Sequence, residues 1–205
     1  MLKMVVTPSA GLLEKAAPVE RFNKKLKKFI SEMSAMLDAT VDPVGVGLAA
    51  PQVGVAKHIF LARPQENGPI YVFINPQIVE TSSEEEIPHF TNSPKIEAMK
   101  IKASAKGGSS SGRKKSRGKL LEGCLSIPNI WGNVSRKKTI KLSWQDINGK
   151  RRTRTFTGFP AIIIQHELDH LNGILFTKHV LEQKEQLYRS YKNEKGEDEF
   201  EEIEV

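Results

Sequence analysis

Between Phe22 and Leu37 the apolar residues Phe22, Leu26, Phe29, Ile30, Met33, Met36 and Leu37 return every three or four positions, with lysines in the gaps. That period places them on one stripe of an amphipathic α-helix. The period then changes. Ile59 to Ala62 and Tyr71 to Ile74 are short β-rich runs, and the second is expected to stop at Asn75-Pro76, because proline has no N–H to give a ladder. Ile140, Leu142 and Trp144 alternate with Lys141, Ser143 and Gln145, and Asn148-Gly149 supplies a hairpin turn into a partner strand over Arg151 to Thr157. This predicts an antiparallel sheet with one wet face. Gly158-Phe159-Pro160 ends that strand and puts proline where a helix can begin. The run AIIIQHELDHLN then continues unbroken to Gly173, a residue suited to the position just past a helix end. Ile162, Ile163 and Ile164 surround most of its first turn, so this helix should be buried. Helices and strands do not alternate regularly, and the fold class is therefore α+β, with antiparallel sheets around a buried central helix that carries the His-Glu-x-x-His pattern.

Length and charge refine this picture. At 205 residues the chain can bury one sizeable core, and a single domain over residues 1–205 is expected. No apolar run approaches the roughly 18 residues of a membrane-spanning helix, so no membrane partner is expected. Cys124 is the sole cysteine, which removes any intrachain disulfide and favours the cytoplasm. The formal charge is +7, yet residues 95 to 119 alone hold nine lysines and arginines against Glu97. The rest of the chain is close to neutral. The stretch at about 84–119, which includes KASAKGGSSSGRKKSRGK, has too little apolar area to offset chain ordering and reads as a basic flexible insertion. Residues at about 193–205 read as a solvated acidic tail, with Glu194, Glu197, Asp198, Glu199, Glu201, Glu202 and Glu204 against Lys195.

The strongest chemical signal is His166-Glu167-Leu168-Asp169-His170. On a helix, side chains four apart share a face, so two imidazoles can bind one metal ion, and Glu167 beside the first can handle a proton on a water bound there. A third protein ligand is then needed. The long metalloprotease pattern continues to a glycine, matched at Gly173, and to a histidine, but position 176 is Phe176. His179, Glu182 and Glu185 follow on the C-terminal side and are ordinary residues for a solvated helix. Cys124, in Glu122-Gly123-Cys124-Leu125-Ser126, is the better candidate, although a lone cysteine is by itself usually a small buried hydrophobe. A further segment, Gly45-Val46-Gly47-Leu48-Ala49-Ala50-Pro51-Gln52, has the spacing of a dinucleotide fingerprint. A helix precedes it and Pro51 interrupts it, so a turn is the better reading.

Taken together, three segments resemble the signatures of the peptide deformylase family: G-x-G-x-A-A-x-Q at Gly45, Gly47, Ala49, Ala50 and Gln52; E-G-C-L-S at Glu122 to Ser126; and Q-H-E-x-D-H at Gln165 to His170. They stand in the family's order, and Pro8 to Val19 and the stretch from Ile74-Asn75-Pro76 to Ile127-Pro128 are also similar to it, so that most of the chain outside the insertion and the acidic tail is covered. The resemblance implies a hydrolase that removes the formyl group of N-formylmethionine from newly made polypeptides and releases formate. It implies Cys124, His166 and His170 as ligands of one divalent metal, Fe2+ in the cell and Zn2+, Ni2+ or Co2+ in the purified protein. Glu167 would be general base and then acid for a metal-activated water. Gln52 through its side-chain amide and Leu125 through its backbone N–H would hold the oxyanion. The substrate backbone would lie against Val46, Gly47 and Gly123, where the glycines allow close approach, and the methionine side chain would enter a pocket of Val46, Phe159, Ile162 and Ile163. Family members act on nascent chains at the ribosome, so a transient ribosome contact is expected, with the basic 95–119 segment a candidate for it, and the enzyme is expected to be a monomer. The chain opens at Met1 directly before the family-like start, which points to the cytoplasm of a bacterial-type cell, or to an organelle if a transit peptide preceded it. The long stretch before the second signature and the acidic end depart from the family pattern. Two other readings are a zinc endopeptidase, in which Cys124 would not be a ligand, and a non-catalytic binding module, which would tolerate loss of Glu167.

Overall fold

A computed structural model describes residues 2–41, 44–65, 68–87 and 120–204. In chain order its strands are β1 (Gly47–Ala49), β2 (Ile59–Ala62), β3 (Tyr71–Thr81), β4 (Glu85–Glu86), β5 (Glu122–Cys124), β6 (Ile127–Gly132), β7 (Arg136–Lys137), β8 (Thr139–Gln145), β9 (Arg151–Thr157), β10 (Leu187–Lys192) and β11 (Asp198–Ile203). The helices are α1 (Lys24–Asp38), α2 (Phe159–Leu171) and α3 (Phe176–Glu182). The strands form antiparallel sheets in the orders β1-β2-β3-β8-β9, β11-β10-β6-β5 and β4-β7. The α+β class and the buried central helix are as the pattern predicted.

The larger sheet is covered on both faces. Ile59 and Leu61 of β2 meet Ile30, Met33 and Leu37 of α1, whereas Phe60 and Ala62 belong to the core formed with Ala161, Ile164, Leu168 and Leu171 of α2. Because both faces are buried, β2 reads as a continuous apolar run and not as an alternation. The helix α1 starts where the Asn23 side chain accepts a hydrogen bond from the Leu26 N–H at 3.0 Å, which satisfies one of the free donors of the first turn. Burying Ile163, Ile164, Leu168 and Leu171 of α2 is worth about 1.5–3 kcal/mol each. This offsets the cost of carrying Gln165, Glu167 and His170 into the interior on the same helix.

Three expectations change. Strand β3 does not stop at Asn75-Pro76 but runs on to Thr81, with register shifts against β8 between Ile74 and Gln77 and between Ile78 and Glu80. Asn75 takes φ 49°, and the irregularity absorbs the proline that a regular ladder would reject. The Asn75 side chain accepts from the Val19 N–H and donates to the Val19 carbonyl, both at 2.8 Å, so it ties the N-terminal segment to the sheet. The first part of the expected insertion also has structure, since β4 pairs with β7. Residues 88–119, which hold the basic run, lie outside the described residues. Finally, half of the described residues of the acidic tail are strand. Its β11 pairs with β10, Phe200 meets the Trp131 ring edge-on at 6.0 Å, and Ile203 packs on the Phe176 and Val180 cluster under α3. The acidic side chains between them stay exposed. Two anchoring apolar residues among six positions were too sparse a signal to predict the strand.

No helix among the described residues is long and apolar enough to cross a membrane. The topology leaves β1 and β5 as the end strands of their sheets, and α2 packs against β1 and β2.

Candidate metal centre and active site

Three chain segments far apart in sequence meet at α2. The helix presents His166 and His170 one turn apart, β5 ends on Cys124, and the turn after β1 carries Gln52. Ligand atoms of Cys124, His166 and His170 all lie within 4.8 Å of one another, and Cys124 Sγ is 3.1 Å from His170 Nε2. His179, considered as a third ligand, instead has its Nε2 2.9 Å from Asp169 Oδ2. Gln52 is buried and held in one orientation: its Oε1 accepts from the Ala49 N–H at 2.8 Å. Its Nε2 is thereby turned to Cys124 Sγ at 3.5 Å and Ser126 Oγ at 3.3 Å. Leu125 sits in the turn that joins β5 to β6.

Burial and charge set the protonation of the group. Burial alone would raise the Cys124 thiol, but His170 and His166 beside it bring it down to about 5, so it is a thiolate at neutral pH. His166 Nδ1 is 3.1 Å from Glu122 Oε2, and this contact fixes the ring and leaves Nε2 for a metal. Glu122 is itself fully committed: Arg136 Nε and Nη2 donate to its two oxygens at 2.8 and 2.9 Å. Burial opposes its charge, yet the Arg136 guanidinium holds the carboxyl at about 2. Arg136 also donates through Nη1 to Asp169 at 2.6 Å, so one buried guanidinium spans the residue behind His166 and the residue before His170. Sequence reasoning did not single out Arg136. An arginine in Ser135-Arg136-Lys137-Lys138 looks like part of an exposed basic run, and only its 6% exposure marks it out.

Glu167 differs from every other buried acid near it. It is 3% exposed, and its Oε2 has no hydrogen-bond partner among the described residues. Burial pushes its carboxyl up to about 7, with the Cys124 and Asp169 charges adding to the shift and the two histidines opposing it. A Cβ placed on Gly47 would run into Glu167 Oε1, with the Glu167 Cγ at 2.9 Å, so this glycine makes room for the carboxylate itself. Gly123 is likewise required within the chain, since a Cβ there would lie 2.5 Å from the Trp131 ring. Both glycines were expected to admit a substrate backbone, and the structure gives each an intramolecular reason as well. Among the pocket candidates, Ile163 is buried in the core under α2, with Val46 and Phe159 packed half-buried against the same cluster, and Ile162 is 7% exposed.

One thiolate and two imidazoles beside a buried carboxylate make up a donor set suited to a metal ion. The residues fit a divalent metal, because the donor atoms converge and the second nitrogen of His166 already has an acceptor. The family model for polypeptide deformylase matches residues 1–186, and the chain belongs to the peptide deformylase family. The peptide deformylase of Borreliella burgdorferi is 34% identical over 196 residues, covering 95% of this chain and 98% of the relative. That of Thermotoga neapolitana is 34% identical over 189 residues, covering 92% and 93%. Among solved structures, peptide deformylase from Thermotoga maritima superposes with a TM-score of 0.66 at 30% identity, covering 87% of this chain and 97% of that one. A Synechococcus elongatus peptide deformylase in complex with actinonin gives 0.66 at 30% identity, covering 87% and 78%.

Proposed function

We propose that this chain is a metal-dependent peptide deformylase that hydrolyses the N-formyl group from N-formylmethionyl ends of newly made polypeptides. The observation that carries the reading is the convergence of Cys124, His166 and His170 beside the unpaired Glu167 carboxylate in a chain of this family. Those three residues are the ligands. Their mixed sulfur and nitrogen set accepts Fe2+, Zn2+, Ni2+ or Co2+, with Fe2+ the metal of the cell. A metal held by these residues would supply Lewis acidity to the formyl oxygen and lower the pKa of a bound water.

The chain's own groups do the rest. Glu167 takes a proton from the attacking water as the new C–O bond forms at the formyl carbon. It returns that proton to the nitrogen as the C–N bond breaks, leaving formate and a free amine. The Gln52 amide and the Leu125 N–H donate to the carbonyl oxygen as it gains charge, when such bonds are strongest. Among the described residues β1 and β5 are edge strands, and their outer edges offer main-chain donors and acceptors to an extended peptide along Val46, Gly47 and Gly123. The methionine side chain enters between Val46, Phe159, Ile162 and Ile163. All these groups come from one chain, which fits a monomer, and a thiolate ligand fits a reducing cytoplasm or organelle interior.

Anaerobically purified protein should release formate from formyl-Met-Ala-Ser and carry one metal per chain, and Cys124→Ala should lose both metal and turnover. A Cys124→Ala protein that keeps its metal and cleaves casein would overturn the reading in favour of an endopeptidase. Gly47→Ala tests the placement of Glu167. The added methyl displaces the carboxylate, and turnover should fall by about a hundredfold with metal content unchanged. Equal turnover would mean that the carboxylate can step aside at no cost.

A further inference from the structure

The sheet face opposite α2 carries a surface that the catalytic site does not use. In β8 and β9 the even-numbered residues Ile140, Leu142, Trp144 and Phe156 turn to the α2 core. The odd-numbered residues form the other face, in the cross-strand pairs Thr139–Thr157, Lys141–Thr155, Ser143–Thr153 and Gln145–Arg151. These eight side chains are hydroxyls, one amide and two cations, without a carboxylate. Over seven residues the ribbon is about 24 Å long.

At its turn the ribbon joins the start of α1. Lys27 Nζ donates to Asn148 Oδ1 at 2.8 Å, and the Phe22 ring lies against Gly149, where a Cβ would be 3.3 Å from it. Lys27 therefore stands beside the turn that leads into Lys150 and Arg151, and Lys24, Lys25, Lys27, Lys28, Lys150 and Arg151 are all exposed. Among the described residues, Glu80 pairs with Lys141 at 3.4 Å and Glu32 with Lys28 at 3.9 Å, while Asp146 in the turn pairs with Arg152 of the opposite face at 2.8 Å. The lysines also sit at the wrong end of their helix. The first turn of α1 holds no acid, and cations at the positive end of a helix dipole cost stability.

We propose that the outer face of β8 and β9, with the lysines of α1, is a docking surface for the phosphate backbone of structured RNA. Its cations neutralise phosphates, and its threonine and serine hydroxyls donate to phosphate oxygens and ribose. No exposed aromatic accompanies them on this face among the described residues, so recognition is of backbone and shape and not of base sequence. That the polyanion is RNA rests on the deformylase reading, under which the substrate arrives as a chain still being made. The surface lies behind the sheet from α2, so docking leaves the catalytic face open.

The test uses the full chain with metal. Binding of a fluorescein-labelled RNA hairpin of about 20 base pairs is followed by anisotropy across a salt series, for the wild type and for a variant carrying Lys24→Gln, Lys27→Gln, Lys150→Gln and Arg151→Gln. The variant should bind at least about tenfold more weakly at low salt, with the slope of log affinity against log salt shallower by about 3. Its turnover of formyl-Met-Ala-Ser should equal the wild type's, which also shows that it is folded. Equal affinity and slope in the two proteins would overturn the proposal and assign any RNA binding elsewhere in the chain. So would phosphatidylglycerol vesicles that bind as tightly as the hairpin and lose affinity in step with it. Absence of formate release with RNA binding intact would count against the enzymatic reading and not against this surface.

Discussion

A Glu167→Gln protein is expected to keep its metal and its fold and to lose about a thousandfold or more of its turnover, the scale of a lost general acid and base. Glutamine has the same shape, so it fits beside Gly47, but it cannot accept the proton of the attacking water. The same variant should be more stable without metal. Burial raises Glu167 from 4.5 to about 7 in the folded chain. The native state therefore binds its proton more tightly than the unfolded state does, and stability falls as pH rises between those values. Glutamine removes that loss, so the melting midpoint of the metal-free variant should exceed the wild type's by more at pH 8 than at pH 5. Formate release and calorimetry on the two proteins check both statements. Turnover within tenfold of the wild type would remove Glu167 from the chemistry.

Arg136→Met should be the substitution outside the ligands that lowers stability most. It leaves the buried carboxylates of Glu122 and Asp169 without their shared cation, a change that costs about 3–5 kcal/mol when one partner of a buried pair is deleted. For a chain of this size the melting midpoint should fall by about 10 °C. A triple variant, Arg136→Met with Glu122→Gln and Asp169→Asn, separates support of the fold from positioning of the ligands. Removing the charges together should restore most of the stability, because no unpaired ion remains. Metal affinity should stay at least tenfold below the wild type, since the carboxylate that orients His166 is gone. Full recovery of metal affinity in the triple variant would reduce the network to a purely structural role.

Much of this protein is legible in the order of its residues. The three-and-four spacing of α1 fixed its buried face, and the alternation in β8, the Asn148-Gly149 turn and the Gly158 break gave β9 and the start of α2 at their observed places. These are local signals, carried by periods and turn residues within a dozen positions. The two histidines and Glu167 were also readable, because the spacing of four puts both imidazoles on one face of a helix with Glu167 next to the first. The short strands β1 and β5 were not, as three residues hold no period, and they exist only because β2 and β6 pair with them.

What the tertiary structure decided is the state of each group once distant segments met. That Glu122 serves His166 follows from a contact across 44 positions, and Arg136 is a buried bridge only because β7 passes behind α2. Gly47 is needed because a carboxylate 120 residues later comes to lie over it. The acidic end became a strand because β10 offered a free edge and two apolar residues found partners. Sequence alone determined the inventory of donors, bases and helix faces, since chemistry and local period reside in the residues themselves. Which charges are paired, which is left bare and which lysines gather on one face depend on burial and long-range proximity, and those arise only when the chain is folded.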